Sequence, residues 1–466
     1  MQPRLQRLLS SLMRSYAETN VTLVTSASRS GFLIGSTWKA KKFWGGYVSA
    51  NTPISFYPLT FVPDSPDVVV GRKDIDSYAV FPEDGAALLQ MLQSGVSPEE
   101  AAHWYFERYA EPIDIEDFLQ TLGDLQFIRN GRDKEVVPPS TRSSIWQSIG
   151  RATFSPLAWI IYSAILGYSL YVMIRFPYLR PGYHNLFFSP YLVVLELGLF
   201  LGQFPGILVH ELFHMLAGRR LGIPSRLGIG RRLYIIVFET HLTGLWSVPR
   251  QARYLPFLAG MLADLLWFAL LTTIASLTYT PAHPFSFPGA FCLALAFSTL
   301  LRFIWQFYFY LQTDIYYVFT NILRCVDLQQ TTWQYLWNRI YRLLKLTHKI
   351  RDEDAWNPRD RQVARWYVFF FGAGYLFTLG TLFFVGVPTA LRIFSGIVAD
   401  LLNHAAFNLN FWDSCVFLLL NGIQVAVVAW IYWRERKARR AAERSLSAMS
   451  HEKNLSPDYV EEKGVL

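Results

Sequence analysis

The chain has 466 residues, of which 52% are apolar, 16% aromatic and only 17% charged, and its 43 Lys plus Arg against 35 Asp plus Glu give a net charge of +8. Soluble domains carry about 25% charged residues, so the deficit excludes an ordinary soluble enzyme and points to a bilayer. A basic membrane protein holds its excess charge in cytoplasmic loops, so the balance does not argue for nucleic-acid binding. Three cysteines, Cys292, Cys325 and Cys415, lie far apart with no CxxC, which suggests neither a disulfide framework nor a cysteine zinc site.

Residues 1–60 form a poorly defined segment with one short helix candidate, Leu5–Met13, and no charged stretch leading into an apolar run of signal-peptide length. The start of the chain is therefore expected to be cytoplasmic and retained. Residues 61–135 predict a small soluble domain. Val68-Val69-Val70 and Ser77-Tyr78-Ala79-Val80 form a strand pair, and residues 84–92 a helix that Gly95 ends. Ser97-Pro98-Glu99-Glu100 starts another helix, with a cap, Pro at the first position and acids at the positive end of the dipole. A third helix opens at Asp114, and Leu125–Ile128 closes the domain as a short strand. Residues 136–156 are expected to be a linker.

Six stretches then carry at most one charge each: Leu157–Ile174, Pro190–Val209, Leu255–Tyr279, Phe285–Gln312, Trp366–Leu391 and Ser414–Trp433. Each is near the ~20 residues needed to cross a bilayer core, so residues 157–433 predict a polytopic α-helical domain of about six transmembrane helices. The segments 219–254, 324–365 and 434–444 hold twenty-two basic residues, against three in the alternate loops 175–189, 280–287 and 392–410. The positive-inside rule then puts both termini in the cytoplasm, with residues 434–466 a frayed cytoplasmic tail.

Within the second span stands His210-Glu211-Leu212-Phe213-His214. Two histidines four apart on a helix project from one face, and both nitrogens can reach one ion at roughly 2.0–2.1 Å. The adjacent Glu211 sits to the side, where it can act as general base on water at that ion. A catalytic zinc needs a third protein ligand and one open position. Asp314 fits by depth, because His210 lies about ten residues inside Arg219 and Asp314 about ten inside Arg324, roughly 15 Å each at the helical rise. His241 and Glu239 are rivals, but they lie in Tyr234–Trp246, an alternating stretch that predicts a membrane-side hairpin presenting an edge to substrate. Asp264, in the third span, either orients substrate or pairs with Arg302 across helices. Glu196, Gln203 and His210 are spaced by seven and share one helix face; Glu196 is expected near the outer surface, away from the chemistry.

These residues resemble the site-2 protease family of intramembrane zinc metalloproteases, over roughly residues 190–325. The resemblance rests on His210–His214 followed by Ala217-Gly218-Arg219, the hairpin at 226–248, the stretch Gly260–Asp264, and Asp314 before Tyr316-Tyr317. The nearest subgroup is that of peptide zinc metalloproteases found beside peptide-modification and secretion genes. The resemblance implies Zn²⁺ held by His210, His214 and Asp314, with Glu211 as base and position 264 near substrate; His241 and Glu239 are substrate-side candidates from the hairpin reading alone. The family has Gly-Pro-x-x-Asn where this chain has Gly260-Met261-Leu262-Ala263-Asp264, and Asp-Gly where it has Asp314-Ile315. An Asp donates a hydrogen bond as an Asn amide would only if protonated. The soluble domain is similar to PqqD-like domains, small winged helix-turn-helix (α+β) modules that bind leader peptides. That likeness is carried by Arg72, Asp76, Tyr78, Gly85, Leu88, Leu89, Gly95 and Ser97–Glu100. Such a domain takes its peptide as a strand added to the sheet edge, here around Val68–Val80. It shows no Arg/Lys-rich recognition helix, so nucleic acid is not an expected partner.

The sequence therefore predicts an integral protein of a prokaryotic plasma (inner) membrane that hydrolyses a peptide or membrane-anchored substrate. A transporter or a peptide-modifying enzyme is the expected protein partner. The alternative is a non-catalytic export accessory whose metal site is structural. Topology reporters fused to each terminus should both report the cytoplasm, and a terminus reporting the opposite side would contradict the charge count.

Overall fold

Both faces of the strand Asp67–Arg72 are apolar, and the reason lies in what covers it. The computed structural model describes residues 24–28, 31–33, 53–75, 77–129, 145–232, 235–242, 244–279, 286–353, 356–403 and 408–454. The helix candidate Leu5–Met13 and Asp76 lie outside them. In the soluble domain, strands β1 (Val24–Ser28), β2 (Gly31–Leu33), β3 (Thr60–Asp64), β4 (Asp67–Arg72) and β5 (Ser77–Pro82) form one sheet in the order β2-β1-β5-β4-β3. Alternation along a strand sends neighbouring residues to opposite faces. Val70, Ala79 and Phe81 pack on the helices α1 (Glu83–Gln93), α2 (Pro98–Tyr109) and α3 (Ile115–Asp124). Val62, Val69 and Tyr78 face the other way and pack with Trp246. The run Val68-Val69-Val70 is a strand buried on both faces.

The predicted strand pair and all three helix starts are present. Ser97 and Glu100 form a reciprocal capping box, and Asp114 accepts the N–H groups of Glu116 and Asp117. Leu125–Ile128 contributes a single bridge, Phe56 to Ile128, instead of a strand. The exposed edge expected around Val68–Val80 is not there. β3 pairs antiparallel with Asp67–Gly71 of β4, and β1 runs parallel to β5. β3 carries Pro63, which an edge strand tolerates and which obscured the strand in the sequence.

The chain divides into two units: residues 1–188 with 199–388, and residues 189–198 with 389–466. In the first, the expected linker holds a helix, α4 (Ile145–Thr153), because Ile145, Trp146 and Ile149 recur at helical spacing. Among the described residues, six helices are long and apolar enough to cross a membrane, in the six predicted places. They mark the chain as an integral membrane protein. They are α5 (Pro156–Arg175), α6 (Leu192–Arg220), α7 (Arg250–Leu277), α8 (Phe287–Trp305), a 42-residue helix Pro358–Ala399 containing a π-helical turn at Leu382–Gly386, and the start of Leu409–Asn454. The loop expected at 392–410 is helical to Asn403, and the expected frayed tail continues as helix to Asn454. Ala, Arg and Glu dominate that tail, and all three favour helix.

The fourth span also departs from expectation. α8 stops at Trp305, the chain turns, and Asp314 opens a separate helix, α9 (Asp314–Leu323). Gln312 is in the left-handed region (φ 56°) within that turn. The turn rests on α10 (Leu328–Leu343) and Pro358–Thr381, where Tyr310, Leu311 and Tyr316 are buried with Leu328, Val363 and Tyr367. Gln329 ties the layers together. Its N–H donates to Tyr316 Oη at 3.0 Å and its side chain to the Tyr310 carbonyl at 3.1 Å. In the second unit, the Asp413 carboxylate accepts the N–H groups of Leu192 and Val193, and Glu196 accepts from Asn421 and Gln424. This places Glu196 in a structural polar cluster.

Contacts fix the soluble domain to the start of α7. Arg250 donates to Asp64 at 2.6 Å, Arg324 to the Ser65 carbonyl, and the buried Arg253 lies over the Trp246 ring at 4.6 Å.

At the start of α10, Asp360 accepts the N–H groups of Val326 and Asp327. Burial, reinforced by the neighbouring Asp360 carboxylate, pushes the Asp327 carboxyl up to about 7. Its value in the unfolded chain is about 3.9. The stabilisation it contributes is thus complete below about pH 4 and is lost as pH rises through about 7. Thermal melts of the detergent-solubilised chain should show stability falling across that window, and Asp327→Asn should flatten the fall. An unchanged slope in the variant would refute this assignment.

Candidate metal centre

An imidazole can ligate a metal through only the nitrogen that carries no proton, so what holds the other nitrogen decides the site. His210 and His214 lie on one face of α6, both buried, and each has its Nδ1 turned to α7. His214 Nδ1 is 2.7 Å from the carbonyl oxygen of Pro256, which can only accept, so the proton sits on Nδ1. His210 Nδ1 lies 3.1 Å from Asp264 Oδ2, and neither atom has a better partner among the described residues. Both rings therefore offer a bare Nε2 to the same point.

Asp314 completes the convergence from α9. Its Oδ2 is 3.3 Å from each Nε2, and the two Nε2 atoms are 3.1 Å apart. Ligands placed tetrahedrally at the 2.0–2.1 Å typical of zinc are themselves about 3.3–3.4 Å apart. Three lone pairs meeting at this spacing repel one another unless a cation lies between them. Asp314 Oδ2 is buried and receives no hydrogen bond, in a fold that otherwise pairs most of its buried polar atoms. His210, His214 and Asp314 form the cluster with metal-ligand spacing found among the described residues. These donors fit a divalent metal with one position left open.

The turn before α9 aims Asp314. Thr313 Oγ1 donates to the Gln306 carbonyl at 2.6 Å, and the Asp314 N–H donates to Gln306 Oε1 at 3.2 Å. Gln306 carried no signal in the sequence beyond being a polar residue at a span end. Glu211 is buried beside the ligands but is not one of them. Its Oε2 accepts from Thr240 Oγ1 at 2.7 Å, and its carbonyl lies 3.0 Å from the same hydroxyl.

Thr240 belongs to the predicted hairpin, β6 (Ser225–Arg232) and β7 (Ile235–Leu242), which pairs antiparallel over eight positions. Glu239 and His241 flank Thr240 in β7, opposite Gly228 and Arg226; their side chains lie outside the described set. Thr240 was missed because alternation marks a strand without saying which residue meets the helix beneath it. Asp264 is fully buried, with Oδ1 accepting from Arg302 Nη2 at 2.6 Å and Nε at 3.1 Å. The pairing with Arg302, one of the two sequence readings, is present.

No family model, curated protein or solved structure matches the chain. One imidazole hydrogen-bonded to a backbone carbonyl, a second facing a carboxylate, the Asp314 carboxylate and a separate buried glutamate are groups that can support metal-assisted hydrolysis.

Gly260 makes the approach of α7 to α6 achievable. A Cβ there would stand 2.3 Å from His214 Nε2 and 2.5 Å from His210 Nε2, inside the ligand cluster. Gly260→Ala should abolish metal binding at a stability cost of only about 1–3 kcal/mol for local overpacking. Equal metal content in a folded Gly260→Ala protein, measured by elemental analysis, would show that the cluster is not the binding site.

Proposed function

We propose that the chain is an intramembrane zinc metalloendopeptidase of the site-2 protease type, acting on a peptide or membrane-anchored segment. The observation that carries this reading is the spacing of the three ligand atoms, 3.1 to 3.3 Å, around a point where no hydrogen bond serves Asp314 Oδ2. Zinc is the metal we favour because two imidazoles and one carboxylate, with a fourth position left open, suit it.

Bound there, zinc would supply Lewis acidity, polarising a scissile carbonyl and acidifying a water. The chain's own residues do the rest. Glu211 takes the proton of the attacking water and later delivers it to the leaving amine. Thr240 steadies the Glu211 carboxylate and links it to β7, the strand along which an extended substrate can pair. The apolar walls of α6 and α7 limit bulk water around the pocket.

The N-terminal domain, in our reading a PqqD-like peptide-binding module, captures the substrate on the cytoplasmic side of a prokaryotic inner membrane. Its sheet is packed against Trp246, four residues beyond β7, so a captured peptide is held close to the hairpin. With β4 and β5 both paired on each side, the peptide's strand site moves to an outer edge of the sheet or to the helices. Maturation or export of a ribosomally made modified peptide is the process these parts suit, with a transporter or a modifying enzyme as neighbour.

Glu211→Gln should retain one zinc per chain and lose cleavage of the precursor peptide by several orders of magnitude, whereas His210→Ala should lose both. Cleavage surviving in pure Glu211→Gln protein would refute the mechanism. Zinc in the wild type with no turnover would favour a non-catalytic export accessory.

A further inference from the structure

Behind His210 stands a second, dry layer of charge. Asp264 is fully buried in the middle of α7, and its two oxygens are divided between two tasks. Oδ1 takes both donors of the Arg302 fork, and Oδ2 stands 3.1 Å from His210 Nδ1. Arg302, mostly buried on α8, spends its remaining arm on Gln203 Oε1 at 2.9 Å, and Gln203 donates back to the Leu295 carbonyl on α8 at 3.0 Å. Gly206 leaves the slot for this guanidinium: a Cβ there would stand 3.2 Å from Arg302 Nη2 and 2.8 Å from Trp267 Nε1. The arrangement spans α6, α7 and α8 and ends on one ring nitrogen.

A buried carboxylate and guanidinium in a membrane domain are expensive to desolvate, and a well-packed apolar pair would hold the helices as well. Their retention points to what the charge does for His210. Resting on the zinc reading of the site, we infer that Asp264 is a positioning residue for the metal, with Arg302 as its counter-charge. Asp264 fixes the His210 tautomer and ring, and its charge makes the ligand nitrogen more electron-rich. Arg302 balances the charge of Asp264. A carboxylate behind a metal-binding imidazole typically changes metal affinity by about ten- to a hundredfold.

This account differs from a merely structural ion pair in the sign of one variant. If the pair only held helices together, loss of either partner would weaken zinc binding alike. If the carboxylate serves His210, the variants separate. Asp264→Asn removes the favourable charge and leaves the guanidinium uncompensated beside the site. Arg302→Gln leaves the carboxylate in place.

The test is the zinc affinity of the full-length, detergent-solubilised chain by chelator competition, for wild type, Asp264→Asn, Arg302→Gln and the double variant. The melting temperature of each metal-free protein is recorded alongside. Asp264→Asn should bind zinc about ten- to a hundredfold more weakly, Arg302→Gln as tightly as wild type or tighter, and the double variant in between. Should Asp264→Asn not fold, Arg302→Gln against the double variant reads the same carboxylate, with weaker zinc binding expected in the double variant. Equal affinity across the set, or equal weakening by both single changes, overturns the inference. A wild type that binds no zinc overturns the metal reading itself.

Discussion

Both imidazoles of the HELFH helix are held from behind by α7, and the rest of the domain depends on that constraint. His214 is tethered to a backbone carbonyl and His210 to a buried carboxylate, so both rings turn their Nε2 atoms toward Asp314. The tethers require α7 to run so close to α6 that Gly260 has no room for a side chain. They also require Asp264 to be compensated, which recruits Arg302 from α8 and Gln203 from α6. The third ligand needs the chain to break after α8 and restart at Asp314, and the aromatic layer around Tyr310, Tyr316 and Tyr367 holds that restart in place.

The same constraint connects the site to the parts outside the membrane. α7 begins at Arg250, which grips Asp64 of the soluble domain, and its carbonyl accepts from Asn321 of α9. The helix that tethers both histidines is thus fastened at its start to the soluble domain and to the helix that begins with the third ligand. Just before it, Trp246 fills the outer face of the soluble sheet. The hairpin reaches the site from the remaining side, where the Thr240 hydroxyl of β7 donates to Glu211.

The sequence carried the spans, the hairpin, the capped helices of the soluble domain and the metal cluster, because each rests on a local pattern: apolar length, alternation, caps, and two histidines four apart. Asp314 was found for a partly mistaken reason. Its depth was inferred by continuing the fourth span, whereas the structure ends that helix at Trp305 and presents Asp314 at the head of another. No breaker residue marks the turn, since Gln306, Gln312 and Thr313 act through hydrogen bonds and a left-handed φ instead of through Pro or Gly. The role of Asp264 was equally hidden. Its partners come from α6 and α8, and only tertiary packing shows that both its oxygens face inward. β3 was missed because Pro63 argues against a strand anywhere except at an edge, and edges are not visible in sequence.

The central claim is that one metal ion is held by two imidazoles and one carboxylate at the meeting point of α6 and α9. X-ray absorption at the zinc edge of the purified full-length chain tests it most directly. The account predicts one zinc per chain with a four-coordinate nitrogen and oxygen shell at about 2.0–2.1 Å, two imidazoles and no sulfur. A spectrum with sulfur ligands, fewer than two imidazoles, or no stoichiometric zinc would contradict it.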